Sequence, residues 1–140
     1  MAPLIALVGG FAVLRLLGFA GIAVLDAWQP ALRGGLALMF LLTGLAHFNK
    51  RRRGLIAMVP PRLPRPDLLV TVTGVLELAG VAGLLLPPTA SLTAWCLALL
   101  MVPMFAANVS AARRGLPVTP LVPRTAIQIV FQAAAVAAAL

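Results

Sequence analysis

The chain has 140 residues, of which 62% are hydrophobic and 10% charged, against roughly a quarter charged in ordinary soluble domains. That excludes a soluble globular domain, and the same hydrophobicity excludes a disordered chain. What remains is a helical integral membrane protein of one small domain. A net charge of +8 would suggest nucleic acid in a soluble protein. Membrane proteins instead gather Lys and Arg in cytoplasmic loops, so no nucleic-acid partner is expected. Cys96 stands alone in an apolar run, which leaves no disulfide, no CxxC and no thiolate metal cage. With one His in the chain, a bis-His haem cannot form within it. No metal site and no intrinsic cofactor are expected, and a redox cofactor would come from a partner or from the lipid.

The predicted elements are five transmembrane spans in one domain. The first, about 4–25, carries Arg15. No basic residue precedes it and no A-x-A site follows, so it reads as a span rather than a signal peptide. The linker Asp26 to Pro30 breaks it. The second span, about 34–48, is short, with Trp28 and Arg33 as anchors at one end and a basic cluster at the other. The segment 50–67 carries Lys50, Arg51, Arg52, Arg53, Arg62 and Arg65 together with Pro60, Pro61, Pro64 and Pro66. Its prolines forbid a long regular helix. It reads as an interfacial segment, apolar side in the headgroups and basic side in water, able to bind anionic lipid or partner proteins. The third span, about 68–86, contains Glu77, and Pro87-Pro88 makes a tight turn after it. The fourth, about 89–112, contains Pro103, a potential kink. A Pro-rich loop to Pro123 leads to the fifth, about 125–140, whose Ala-rich end is expected to fray. No internal repeat is evident beyond the shared helical pattern.

Charge sets the orientation. With the N-terminus cytoplasmic, the second and fourth connections hold nine of the 11 basic residues. The positive-inside rule therefore places the N-terminus in the cytoplasm and the C-terminus outside.

An ionisable residue in hydrocarbon costs a few kcal/mol, so each one needs a reason. The candidates are Arg15, His47, Glu77, Asn108, Arg124, Gln128 and Gln132. At about 1.5 Å per residue, Glu77 lies about 15 Å beyond Asp67 and Arg15 about 18 Å beyond Pro3. Both reach the midplane, and a pair between them is expected because each alone would be poorly solvated. Such a pair could be a packing latch or part of a site. Thr73, Gly74 and Gly80 share the face of Glu77; small residues let helices approach, so Glu77 faces protein, where an unpaired carboxyl is a candidate to carry a proton. His47, with Thr43 and Gly44 on its face, is either an interfacial anchor or a proton or hydrogen-bond donor to a ligand headgroup. Asn108 follows Met101, Met104 and Phe105, a soft face that suits a flat lipophile or plain packing. Arg124, Gln128 and Gln132 recur every four residues and make a polar stripe on the fifth span. Together they describe a polar crevice open to the cytoplasmic leaflet.

TGLAHF (43–48), MVPPRLPRPDLL (58–69), TGVLELAGVAGLLLP (73–87), FAANVSAA (105–112) and PRTAIQ (123–128) resemble the DoxX-like family of bacterial membrane proteins, over about residues 33–140. The resemblance implies an all-α polytopic bundle: a four-helix DoxX-like core plus one extra N-terminal helix, in the bacterial inner membrane. Some members are subunits of thiosulfate:quinone oxidoreductases and others belong to membrane-bound oxidative-stress complexes. His47, Glu77, Asn108, Arg124 and Gln128 fall in the matching motifs. Two functions are then expected. The first is a quinone- or lipophile-binding accessory subunit of a membrane redox or oxidative-stress system, working with a redox-partner protein or as a homo-oligomer. The second is a non-enzymatic scaffold or assembly factor whose basic segment docks partner proteins and membrane lipids. A carrier of a small lipophile ranks behind both.

Overall fold

The computed structural model describes residues 1–117 and 121–140, with side chains described outside 121–125. The described residues form helices and their connections, with no strand. The helices are α1 (Ala2–Phe19), α2 (Trp28–Ala46), α3 (Arg52–Met58), α4 (Pro66–Leu85), α5 (Pro87–Arg113) and α6 (Leu121–Ala139), with a 3-10 turn at Ala23–Leu25. α1, α4 and α5 are each long and apolar enough to cross a membrane. The 18 residues of α1 and the 20 of α4 correspond to about 27 and 30 Å of helix, matching a hydrocarbon core of about 30 Å.

Several boundaries differ from the sequence reading, and proline is the main reason. A proline in the first turn of a helix gives up an N–H that has no partner there anyway. Pro66 and Pro87 therefore start α4 and α5 rather than preceding them, and the Pro87-Pro88 step is a helix start, not a turn of its own. Pro30 likewise lies within the first turn of α2, which begins at Trp28 instead of residue 34. Pro123, assigned to a loop, lies inside α6. The first span stops at Phe19, well before the Asp26–Pro30 linker. Gly21 takes φ +110° there, a backbone conformation that glycine adopts without penalty. Pro103 is accommodated within a continuous α5.

α2 is the central helix and packs on α1, α4 and α6. Leu36, Met39 and Phe40 on α2 join Leu84, Ala94, Leu97 and Met101 from α4 and α5 in one core. Close approach to α1 depends on Gly35, where a β-carbon would stand 2.7 Å from the Leu7 carbonyl oxygen. Outside, α5 presents Leu92, Trp95, Leu99 and Val102, and α1 presents Ile5, Val8, Val13, Leu16 and Phe19. Exposed apolar stripes on successive turns of several helices exceed what water-facing surfaces carry, and they fit a bilayer.

The C-terminal end of α6, where fraying is expected from the sequence, is packed and bonded. Ala135, Ala138 and Ala139 are buried, and the last carbonyls of α6 have donors. Arg33 Nε donates to Ala138 O at 2.9 Å and Ser91 Oγ donates to Ala139 O. Cations at a helix C-terminus satisfy orphan carbonyls and complement the dipole. Arg33 is therefore a cap that ties α2 to the end of α6.

The segment 50–67 holds a short helix, as its prolines allow. α3 forms within it and is tied at both ends. Arg52 donates to His47 O (3.0 Å), Asp67 O (3.0 Å) and Thr71 Oγ1 (2.8 Å). Arg114, at the end of α5, donates to the carbonyls of Ala57, Met58 and Val59 at 2.9, 2.9 and 3.2 Å. It thus caps α3 from another helix. Arg52 is withdrawn from the surface set proposed for lipid or partners, whereas Lys50, Arg51, Arg53, Arg62 and Arg65 are exposed.

Candidate functional site

The site is built where α2 crosses α4. In α2 the order is Thr43-Gly44-x-x-His47, and in α4 it is Thr73-Gly74-x-x-Glu77. Because the two helices run in opposite directions, each glycine meets the other helix's titratable residue. A β-carbon on Gly74 would lie 2.5 Å from His47 Cβ, and one on Gly44 would lie 3.3 Å from Glu77 Cβ. The glycines remove the bulk that would hold the helices apart. His47 and Glu77 are thereby pressed into the interface, with 5% and 0% of their surface exposed.

The hydrogen bonds define the pair. Thr43 Oγ1 donates to Glu77 Oε2 at 2.5 Å. His47 Nδ1 lies 2.9 Å from the Thr43 carbonyl oxygen. A carbonyl only accepts, so Nδ1 carries the proton there. His47 Nε2 is left facing Glu77 Oε1 at 4.0 Å. Oε1 is fully buried and has no hydrogen-bond partner among the described residues. Buried polar atoms are normally satisfied, so this unpaired oxygen marks the site.

The pair borders a cavity of about 370 Å³, within the range of small-molecule sites. Its wall is mostly apolar, and Met39, Met58, Met101, Met104, Phe40 and Phe131 are among its lining residues. Methionine is unbranched and adapts to irregular partners. Polar side chains on the wall come from four helices and one connection. They are Thr43 and His47, Glu77, Asn108, and Gln128, with Arg51 beside α3. Among the described residues, no cluster of three or more His, Cys, Asp or Glu side chains could hold a metal ion.

The candidates read from sequence therefore divide. His47, Glu77, Asn108 and Gln128 are brought to one cavity. Gln128 and Gln132 also fasten α6 to α5, donating to Met101 O at 3.2 Å and Ala98 O at 2.6 Å. The side chain of Arg124 lies outside the described residues. Arg15 does not pair with Glu77. α1 ends soon after Arg15, which turns to the α1–α2 connection, donating to Leu25 O at 3.2 Å and to Asp26 O. Its guanidinium lies 4.3 Å from the Phe19 ring centroid. Equal depth does not bring the two together, because α1 packs on α2 and Glu77 faces α2 from the α4 side. The partner that sequence reasoning missed was His47. The repeated T-G-x-x-H and T-G-x-x-E spacing in α2 and α4 sets each residue one turn from a glycine of close approach, but only the packing of the two helices brings those faces together.

No curated protein and no solved structure matches the chain. A family match does exist, over residues 36–140. It starts inside α2, so it takes in the Thr43–His47 and Glu77 crossing and all later elements but not α1. With three quarters of its length matched, the chain belongs to the family described as Domain of unknown function (DUF8561).

Proposed function

We propose that this is a DoxX-like protein of the bacterial inner membrane that holds a quinone or similar lipophile in the cavity beside His47 and Glu77, as an accessory subunit of a membrane redox or oxidative-stress system. In this reading α2, α4, α5 and α6 form the four-helix core and α1 is the addition. The N-terminus is cytoplasmic and the C-terminus outside, which puts the cavity and α3 toward the cytoplasmic leaflet. The observation that carries the proposal is the cavity itself. It is apolar enough for a lipid-soluble ligand, large enough for a ring system, and bordered by a buried carboxyl oxygen with no partner among the described residues. Polar groups converging on an apolar pocket are the usual makeup of a ligand site.

Native mass spectrometry of gently solubilised protein tests it. A stoichiometric quinone-mass adduct is expected in the wild type, and it is expected to disappear in Met104→Trp, which fills the cavity. A protein that carries only phospholipid, or only a partner chain, in both forms would favour the second reading, a scaffold. That reading draws on the exposed Lys50, Arg51, Arg53, Arg62 and Arg65 around α3, which suit anionic lipid or an acidic partner. It predicts partner capture that is lost on neutralising Lys50, Arg51 and Arg53 and is indifferent to Met104→Trp.

A further inference from the structure

We infer that the cavity selects a neutral lipophile bearing a hydroxyl group, whose oxygen bridges His47 Nε2 and Glu77 Oε1; this rests on the cavity being a ligand site. The two atoms stand 4.0 Å apart. That is too far for a bond between them. It is close enough for one oxygen to lie about 2.8 Å from both.

The proton inventory selects the chemistry of that oxygen. Nδ1–H of His47 is committed to the Thr43 carbonyl, and Glu77 Oε2 to Thr43 Oγ1. Nε2 and Oε1 are therefore the two free positions. A net charge on this buried pair would be poorly solvated, so the pair is neutral as a unit and shares one proton. It then presents one donor and one acceptor, whichever atom holds the proton. A hydroxyl also presents one donor and one acceptor and closes the circuit with both. A carboxylate, an ether oxygen and a quinone carbonyl only accept and an ammonium only donates, so each leaves one of the two atoms unpaired, and of a quinone couple the site takes the hydroxyl-bearing quinol. Room for the hydroxyl comes from the adaptable wall of Met39, Met101 and Met104.

The experiment compares 4-octylphenol with 4-octylanisole, its methyl ether, by equilibrium titration of the full chain in nanodiscs. The phenol is expected to bind at least about tenfold more tightly, as one unmade hydrogen bond in a buried site predicts. In His47→Phe the two are expected to bind alike, at the wild-type affinity for the anisole, which also verifies that the variant is folded. Should His47→Phe bind neither, Thr43→Val serves instead. It removes the bond that orients Glu77, and the preference is expected to fall severalfold. Equal binding of phenol and anisole by the wild type overturns the inference while leaving the cavity as a lipophile site. A tenfold preference that survives in His47→Phe also overturns it, because the hydroxyl then bonds elsewhere. Failure of both probes to bind the wild type overturns the cavity reading and the inference with it.

Discussion

Replacing Gly74 with alanine tests how closely α2 and α4 approach. The new β-carbon would stand 2.5 Å from His47 Cβ, 2.9 Å from its Cγ and 2.9 Å from Phe48 Cε2. Carbon atoms in contact sit about 3.5 to 4.0 Å apart, so the helices must part by about 1 Å here. No rotamer relieves the clash, because a β-carbon is fixed to its own backbone. Overpacking of this kind costs about 1 to 3 kcal/mol. At about 2 to 4 °C per kcal/mol for a chain of this size, Tm should fall by between about 2 and 12 °C. Gly54→Ala is the control. A β-carbon there meets nothing within 4 Å, and alanine favours helix over glycine by up to about 1 kcal/mol, so Tm should hold or rise. The assay is thermal unfolding in detergent, followed by circular dichroism. A Gly74→Ala variant that melts at or above the wild type, beside a normal Gly54→Ala control, would refute the close crossing. The placement of His47 against Glu77 would fall with it.

Other outcomes follow from the same geometry. Arg114→Ala removes the guanidinium that caps α3, at a cost of about 1 to 2 kcal/mol. Hydrogen exchange should then quicken over Leu55–Val59, and unchanged exchange there would show that α3 holds without α5. The double variant Arg33→Ala with Ser91→Ala strips both donors from the end of α6. Exchange should rise at the last turn of α6 and stay constant in α4, and protection equal to wild type would refute the capping role. Cys96 is exposed on α5, about 14 Å from its first residue. In membranes it should resist a charged maleimide and react fully once the protein is unfolded in detergent. Rapid labelling in intact membranes would refute the placement of α5 across the bilayer.

Much of the architecture was legible because apolar runs and charge clusters are properties of the chain itself. The positions of α1, α2, α4, α5 and α6 follow from them, and α3 fell in the segment already marked as basic and Pro-rich. Helix starts were misplaced where proline was read as a breaker, although at Pro66 and Pro87 it occupies the first turn, where its missing N–H costs nothing. The candidate site was legible in part. Thr43, Gly44 and His47, and Thr73, Gly74 and Glu77, were each grouped on a face by helical spacing. Which face meets which is a tertiary fact, set by how α2 lies between α1 and α4. Depth arithmetic could not supply it, and so gave Glu77 the wrong partner in Arg15. The guanidinium of Arg114 illustrates the same limit, since its acceptors lie more than fifty residues away in the chain.

The reciprocal crossing of α2 and α4 has a symmetry of its own. Gly44 meets Glu77 and Leu78, and Gly74 meets His47 and Phe48. Each contact maps onto the other when the two helices are exchanged. The correspondence is local: the acid and the base differ, and Thr43 Oγ1 donates to Glu77 whereas Thr73 Oγ1 donates to the Leu69 and Val70 carbonyls of its own helix. Interchanging the acid and the base, with His47→Glu and Glu77→His together, would return the same two groups to the crossing with their helices swapped, though without the bond that Thr43 makes to Glu77 across it. Either change alone would set two carboxyls or two imidazoles against each other. The two positions are therefore coupled, and the double variant is expected to melt above either single variant.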